Sequence, residues 1–492
     1  MRFTPARYAS PLLLTACGAI SVFAYAPVNA FALMWLALAA LFLVAGKAEN
    51  PKQAALLGYV WGLGYFCANI YWIFISLHTF GGMPAWMAAG CVFLLAVYLA
   101  IFPALGAWLG HKLGNTRCIR VGLTLPTAFV LTEWLRGWLF TGFPWATVGT
   151  SQLPMTPMAG YAPILGVYGI SLILALSLGV IAALPRNPKA WGAVAFTWLA
   201  GWGLTHVEWT QPIGKPVTVS LVQGAIPQDE KWAQEHYLDN LRIYLRLTRQ
   251  AKGEIVILPE TAIPSFLSDT PDWYLYYLRA AVAPRALVTG VPLTGQHVEE
   301  YYNSVMFLTD PKMPTYSKHH LVPFGEFVPL PWLFGWMYHY LNMPLSGFTP
   351  GGTKQAAFAI GPTTRLAANI CYEDVYGREI IHALPEATLL VNVSNLAWFD
   401  GSWAAWQQTQ MSQARALETG RMMLRATNTG MTAIIDNHGK LVSVLAEGKR
   451  GILEGSARNY VGMTPYARFS DWLALGLGGL LLVLARFLRR KH

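Results

Sequence analysis

Cys371 is the one cysteine in a polar block of about 250 residues, and it stands where an apolar strand stops: Leu366-Ala-Ala-Asn-Ile-Cys-Tyr-Glu373. Two more strand ends in the block carry complementary groups. Pro259-Glu260-Thr-Ala places a carboxylate at the exit of a buried strand. Tyr316-Ser-Lys318-His-His-Leu-Val-Pro-Phe-Gly-Glu326 presents an ammonium and then a second acid. Thiol, carboxylate and ammonium together suit acyl transfer. A free thiol, with a pKa of about 8.5, is mostly protonated at neutral pH. A nearby glutamate can take its proton, and a fixed cation favours both the thiolate and the oxyanion that follows. Taken singly, each group has an ordinary explanation as a solvated cap, a surface lysine or a small core residue. Three of them in one domain, each at a strand end, favour chemistry.

The elements that position these groups sit between membrane-spanning sequence. The chain has 492 residues, 54% hydrophobic and only 12% charged, where ordinary soluble domains carry about 25% charge. Residues 1–206 hold two acids, Glu49 and Glu133. Eight apolar stretches are candidate spans: 12–26, 31–46, 54–75, 85–109, 121–140, 162–184, 190–206 and 470–488. The first two are short for a bilayer core, which takes about 20 residues, and suit a hairpin turning at Pro27-Val-Asn29. Lys47, Lys52, Lys112, Arg117, Arg120, Arg186 and Lys189 all follow even-numbered spans, and Arg486, Arg489, Arg490 and Lys491 close the chain. Basic loops stay cytoplasmic, so this alternation puts the N-terminus inside and residues 207–469 outside. Arg2 and Arg7 before an apolar run resemble a cleavable signal, but a second apolar run follows at once. An uncleaved first span is expected.

Three domains follow: 1–206, a bundle of seven helices; 215–460, an extracytoplasmic domain; and 470–488, a last span with a basic tail. In that compartment disulfides persist, yet Cys371 has no partner, since Cys17, Cys67, Cys91 and Cys118 lie in or beside the spans. The net charge of +10 is largely topological, and no basic stripe or binding motif points to nucleic acid. There is no glycine-rich phosphate loop and no metal-ligand spacing, so no cofactor and no metal are expected. A monomer is expected.

Within 215–460, strand and helix signals alternate. Strands are expected at 217–222, 254–258, 286–289, 302–308, 365–371, 388–393 and 432–436. The last should face 440–445 across Asp436-Asn-His-Gly439. Helices are expected at 232–250, with Leu238, Leu241, Tyr244, Leu245 and Thr248 on one face, near 272–283, and at 403–420. Apolar, β-branched strands alternating with helices imply an α/β domain whose sheets are covered by helices. The adjacent pair His319-His320 lacks helical i, i+4 spacing and suits packing around the site.

The runs Pro-Glu260-Thr, Lys318-His-His-Leu-Val-Pro-Phe-Gly-Glu326 and Ile-Cys371-Tyr-Glu373 resemble the Glu-Lys-Cys triad of the carbon–nitrogen hydrolase (nitrilase) superfamily. With spans on both sides, the whole chain resembles the bacterial apolipoprotein N-acyltransferase family. Trp134-Leu-Arg-Gly-Trp138, Phe140-Thr-Gly-Phe-Pro-Trp145, Gly224-Ala-Ile-Pro-Gln228 and Met463-Thr-Pro-Tyr-Ala-Arg468 extend that resemblance. It implies a four-layer α-β-β-α sandwich carried by a polytopic helical bundle in the bacterial inner membrane, facing the periplasm. It also implies transfer of a fatty acyl chain from a phospholipid, through a cysteine thioester, to the α-amine of a lipoprotein's diacylglyceryl cysteine. Glu260 would be general base and acid, Cys371 the nucleophile and Lys318 the oxyanion partner. Glu326 and Glu373 would hold Lys318 and shape the site, and Trp232, Tyr372 and Asn303 would line or support it. One run departs from the family pattern: Ser394-Asn-Leu-Ala-Trp-Phe-Asp400 has Leu396 where an acid is usual.

Three further features bear on function. The apolar stretch Leu330-Pro-Trp-Leu-Phe-Gly-Trp-Met-Tyr338, with Trp332, Phe334 and Trp336, is either a core helix or an arm that dips into the bilayer. Glu133 and Arg136, three apart inside one span, are expected to be structural, because a lone mid-membrane charge costs about 2.5–3.5 kcal/mol. Rival functions are a membrane-anchored amidase, which needs the triad but no lipid entrance, and a transporter with a sensory domain. The bundle's poverty in charged residues weighs against the transporter.

Overall fold

The computed structural model describes residues 6–297, 300–335 and 347–488. It divides into two compact units: Met1–Phe74, Ala85–Val207 and Arg468–His492 in one, Ile75–Pro84 and Glu208–Ala467 in the other.

The first unit is helical. Three of its helices, Ala85–Leu113, Arg117–Arg136 and Pro157–Ala183, are long and apolar enough to cross a membrane. A fourth span results if the bent pair Pro51–Asn69 and Ile73–Phe80 counts as one. The eight spans expected from sequence exceed this number. Apolar runs at both ends of the chain form the shorter helices Pro11–Ala24, Ala32–Ala45 and Trp472–Phe487. Helix α1 (Pro51–Asn69) opens with Asn50, whose side chain accepts the Gln53 N–H. It packs on α2 (Ala85–Leu113) through Gly58 and Gly62, one turn apart, where a Cβ would collide with Pro103. Glu133 and Arg136 have a structural role, directed at the chain that follows them. The Arg136 guanidinium donates to the carbonyls of Phe143 and Trp145, and Glu133 accepts the Val148 N–H at 2.7 Å. Each satisfies backbone groups that an apolar surrounding would leave orphaned.

The second unit contains two six-stranded sheets. One has the order β12-β1-β2-β3-β4-β5, the other β11-β10-β9-β8-β7-β6. In chain order the strands are β1 (Gln211–Gln223), β2 (Ile255–Ile257), β3 (Ala286–Thr294), β4 (Tyr301–Phe307), β5 (Thr315–Ser317), β6 (Phe358–Ile360), β7 (Thr364–Ile370), β8 (Leu389–Ser394), β9 (Met423–Thr427), β10 (Thr432–Ile435), β11 (Leu441–Leu445) and β12 (Gly451–Val461). Period-2 alternation decides which core each side chain enters. Val219, Leu221, Ile255 and Ile257 meet Leu366, Leu389, Val391 and Leu424 between the sheets. Their neighbours Val222, Val256 and Leu287 turn outward and are covered by α3 (Tyr237–Gln250) and α4 (Asp272–Val282). Ala367, Leu390, Met423 and Ile435 turn outward on the second sheet, with Ala416 of α5 (Ala404–Thr419) against them. Each large aliphatic buried this way contributes about 1.5–3 kcal/mol. The result is the expected α-β-β-α sandwich.

Strands β5, β6, β9 and β12 have no counterpart in the expected set, and one helix begins later than expected. The helix expected from residue 232 starts at Tyr237, because Gln228–Lys231 forms a separate turn and Ala233 is extended. Leu238 is consequently exposed, while Leu241, Tyr244, Leu245 and Thr248 are buried.

Candidate functional site

Strands β1, β2 and β3 run parallel in one sheet, and β7, β8 and β9 run parallel in the other. Their carboxyl ends deliver the polar groups of the site. In open α/β sheets that end is where ligands bind.

Glu260 follows β2 after Leu258-Pro259 and is 7% exposed. Its Oε1 accepts from Asn303 Nδ2 at 2.7 Å, and its Oε2 accepts the backbone N–H of Asn395 at 2.7 Å. Lys318 follows β5, with its backbone N–H on the Asn303 carbonyl. Its ammonium is buried and donates to Glu326 Oε1 at 2.8 Å. Asn303 Nδ2 also reaches Glu326 Oε1 at 3.1 Å, so one amide joins the two carboxylates. Burial opposes the charge on Lys318, but Glu326 and then Glu260 outweigh it and hold the ammonium well above the usual lysine range.

Cys371 ends β7 in the left-handed region, with φ +52°. A non-glycine residue is strained there, and two buried side chains hold the turn. The Cys371 carbonyl accepts from Gln408 Nε2 of α5 at 2.7 Å and from Asn392 Nδ2 of β8 at 3.1 Å. Burial and then Glu260 push the thiol well above the ordinary cysteine range, with Lys318 pulling the other way. This raised position favours the thiol over the thiolate.

Glu373 ties the thiol turn to the lysine loop. Its Oε2 accepts from the Ile370 N–H at 2.6 Å and the Tyr316 hydroxyl at 2.9 Å. Its Oε1 accepts from the N–H groups of His319 and His320. Burial pushes this carboxyl up to about 7, against the Ile370 N–H and the Lys318 charge. His320 stacks on Tyr376 at 3.8 Å and reaches Glu379 at 3.0 Å, which is a packing role.

Not every residue expected at the site joins these contacts. Tyr372 makes ring contacts with Tyr376 and His320. Trp232 is half-buried beside Lys231, whose ammonium lies 5.9 Å from its ring. Leu396 is buried against Gly430, so its position accommodates an apolar side chain. Trp332 is 80% exposed on the turn Pro331–Phe334, whereas Trp336 lies outside the described residues.

Sequence reasoning missed Asn392, Asn395, Gln408, Asn428 and Lys231. Asn428, past β9, bonds Asn395 Oδ1 and the backbone of Ile226, fastening the two sheets together at this end. Asn395 stood next to the anomalous Leu396, and Lys231 next to Trp232. Adjacency to a matched position was the available signal.

This fold and site define a carbon–nitrogen hydrolase domain, and residues 218–466 match the carbon-nitrogen hydrolase family. Residues 17–180 match the apolipoprotein N-acyltransferase N-terminal domain. The apolipoprotein N-acyltransferase of Chromobacterium violaceum is 47% identical over 96% of this chain and 93% of its own. That of Nitrosomonas europaea is 43% identical over 97% of each. A solved CN-hydrolase superfamily protein from Xanthomonas campestris is 18% identical, with a TM-score of 0.38 over 50% of this chain and 91% of its own. The chain belongs to the apolipoprotein N-acyltransferase family.

Proposed function

We propose that this protein transfers a fatty acyl chain from a phospholipid to the α-amine of the N-terminal diacylglyceryl cysteine of lipoproteins, with Glu260, Lys318 and Cys371 as the reacting groups. One observation carries the reading. In a chain related over 96% of its length to an apolipoprotein N-acyltransferase, the charges acting on a thiol held in a strained turn include those of the buried Glu260 and Lys318.

In the first half-reaction Glu260 takes the Cys371 proton as sulfur attacks the ester carbonyl. The oxyanion forms beside Lys318, whose charge Glu326 secures. Collapse expels the glycerol oxygen, which takes the proton from Glu260 and leaves as lysophospholipid. In the second half-reaction the acceptor amine attacks the thioester and gives its proton to Glu260. The tetrahedral intermediate then expels sulfur, which recovers the proton as a thiol. Atoms and charge balance in each half, and the order is ping-pong.

Membrane placement suits both substrates. A soluble catalyst would have to extract acyl chains at about 0.8 kcal/mol per CH₂, whereas a domain tethered to a bundle takes them laterally. The loop charges support eight spans and a periplasmic domain, with its two linkers entering the bilayer at residues 207 and 469. The bacterial inner membrane is the site of action, and the monomer is the working unit.

The test incubates purified protein with acyl-labelled phospholipid, with and without a diacylated lipopeptide. The expected result is a hydroxylamine-sensitive label on Cys371 that moves to the peptide amine when acceptor is added. Label that persists in Cys371→Ala removes this residue from the mechanism.

A further inference from the structure

Lys231 closes the turn Gln228–Lys231, is 2% exposed, and donates from Nζ to the backbone carbonyl of Glu260 at 3.0 Å. It is fastened from behind. Its N–H bonds the Pro227 carbonyl, and Asn240 Nδ2 reaches the carbonyls of Glu230 and Lys231. Among the described residues it makes no ion pair, unlike Lys318, which has Glu326. A buried ammonium without a carboxylate in contact is costly, so what it neighbours matters.

The hydrogen-bond partners of the Glu260 carboxylate, Asn303 Nδ2 and the Asn395 N–H, are both neutral. The site holds two carboxylates, Glu260 and Glu326, and Lys318 sits on the second. We propose that Lys231 is a positioning residue of this site: a second buried cation that fixes the Glu260 peptide and balances the negative charge shared by Glu260 and Cys371. The inference rests on Glu260 and Cys371 being the base and the nucleophile. Burial pulls the Lys231 ammonium down to about 7, while Glu260 and then Cys371 pull it back up. The charged or titrating groups facing it are Glu260 and Cys371, with Lys318 and Glu326 beyond them. Asp229 and Glu230 on its own turn are exposed. Above its pKa, neutral Lys231 no longer supports a thiolate, so the alkaline rise in thiol reactivity is less steep there.

The experiment follows alkylation of Cys371 by iodoacetamide in the full-length protein, read on the Cys371 peptide by mass spectrometry, between about pH 5.5 and 9.5. Acyl labelling from phospholipid is measured in parallel. Lys231→Met is expected to slow both by about tenfold or more, the equivalent of one pKa unit or more, and to remove the bend near pH 7. Lys231→Arg, which stays charged, is expected to restore the rate without the bend. Wild-type rates in Lys231→Met across the range would overturn the proposal, as would Lys231→Arg as slow as Lys231→Met. If Lys231→Met does not accumulate folded, Lys231→Arg decides alone: a wild-type rate without the bend supports the charge role, and a bend that persists refutes it. Failure of the underlying assignment is separate, since it shows as acyl label surviving in Cys371→Ala.

Discussion

Two buried ion pairs of nearly equal length lie on either side of Cys371. Lys318 meets Glu326 at 2.8 Å on the side of the first sheet, and Arg425 meets Asp374 at 2.7 Å beneath the thiol turn. They differ in what can reach them. Asp374 is fully buried and also accepts from Gln408 and Ser412. Arg425 is equally enclosed and holds Asn392 as well, so every member of this group points back into the fold. Glu326 is 14% exposed, and among the described residues it is the one side-chain acceptor for the Lys318 ammonium. N–H groups therefore remain for an oxygen that becomes charged. A fully enclosed pair maintains a shape, and one open on a side can act on a substrate.

Substitutions that separate rate from stability can break this contrast. The largest effect is expected on the reacting side. Glu260→Gln should cut acyl labelling by about 10²–10⁴-fold, the scale of a lost general base, and Lys318→Met by about 10²–10³-fold. Glu260→Gln should unfold near the wild-type temperature in a thermal scan, and Lys318→Met, which leaves the partly exposed Glu326 without its cation, somewhat below it. Arg425→Met should do the reverse. It strands Asp374 without its cation, at about 3–5 kcal/mol, so the unfolding temperature should drop steeply. An Arg425→Met protein that stays stable yet inactive would end the distinction.

Gln408→Ala should be intermediate. It removes one of two donors on the Cys371 carbonyl, worth about 1–1.5 kcal/mol, and labelling should slow by about tenfold with the lipid KM unchanged. Glu373 supplies a pH test. Its carboxyl is raised from about 4.3 in the unfolded chain to about 7 in the fold. The stability it contributes is complete below the lower value and is lost as pH rises through the upper one. Unfolding temperature should therefore fall between about pH 5 and pH 8. Glu373→Gln should flatten that dependence while lowering stability overall, because its NH₂ would face the Ile370 N–H. An unchanged slope would mean that Glu373 is not the titrating group. The smallest effect is expected at Trp332→Ser. This exposed side chain suits a lipid-contacting arm, so the KM for phospholipid should rise a few-fold with labelling of Cys371 by iodoacetamide untouched. Identical lipid kinetics would argue against the arm.

The parts of this arrangement that were legible from residues alone follow a physical pattern. Strands such as β2 and β7 are apolar runs ending in a reactive group, so both the element and its cargo could be seen. β9 could not, because Arg425 interrupts its alternation, and the charge is tolerated only through Asp374, which is distant in sequence. β5 and β6 have three residues each, too few for a period to show. The amides Asn392 and Gln408 left no trace because each acts through a hydrogen bond to a residue that only folding brings near. The eight apolar runs were plain, but the helix lengths they would adopt were not.

Strand β12 pairs antiparallel with β1 along nearly its whole length, from Gln211 opposite Val461 to Gln223 opposite Gly451. The first and last strands of the domain are therefore partners, with residues 224–450 made between them. During synthesis, one edge of β1 has no partner until the chain is almost finished. Such late, long-range closure is slow, and an open strand edge invites mispairing and cleavage. Truncation anywhere before residue 451 should thus leave a chain that proteases clear rather than a partly active enzyme. Folding of this domain is bound to the completion of its own translation.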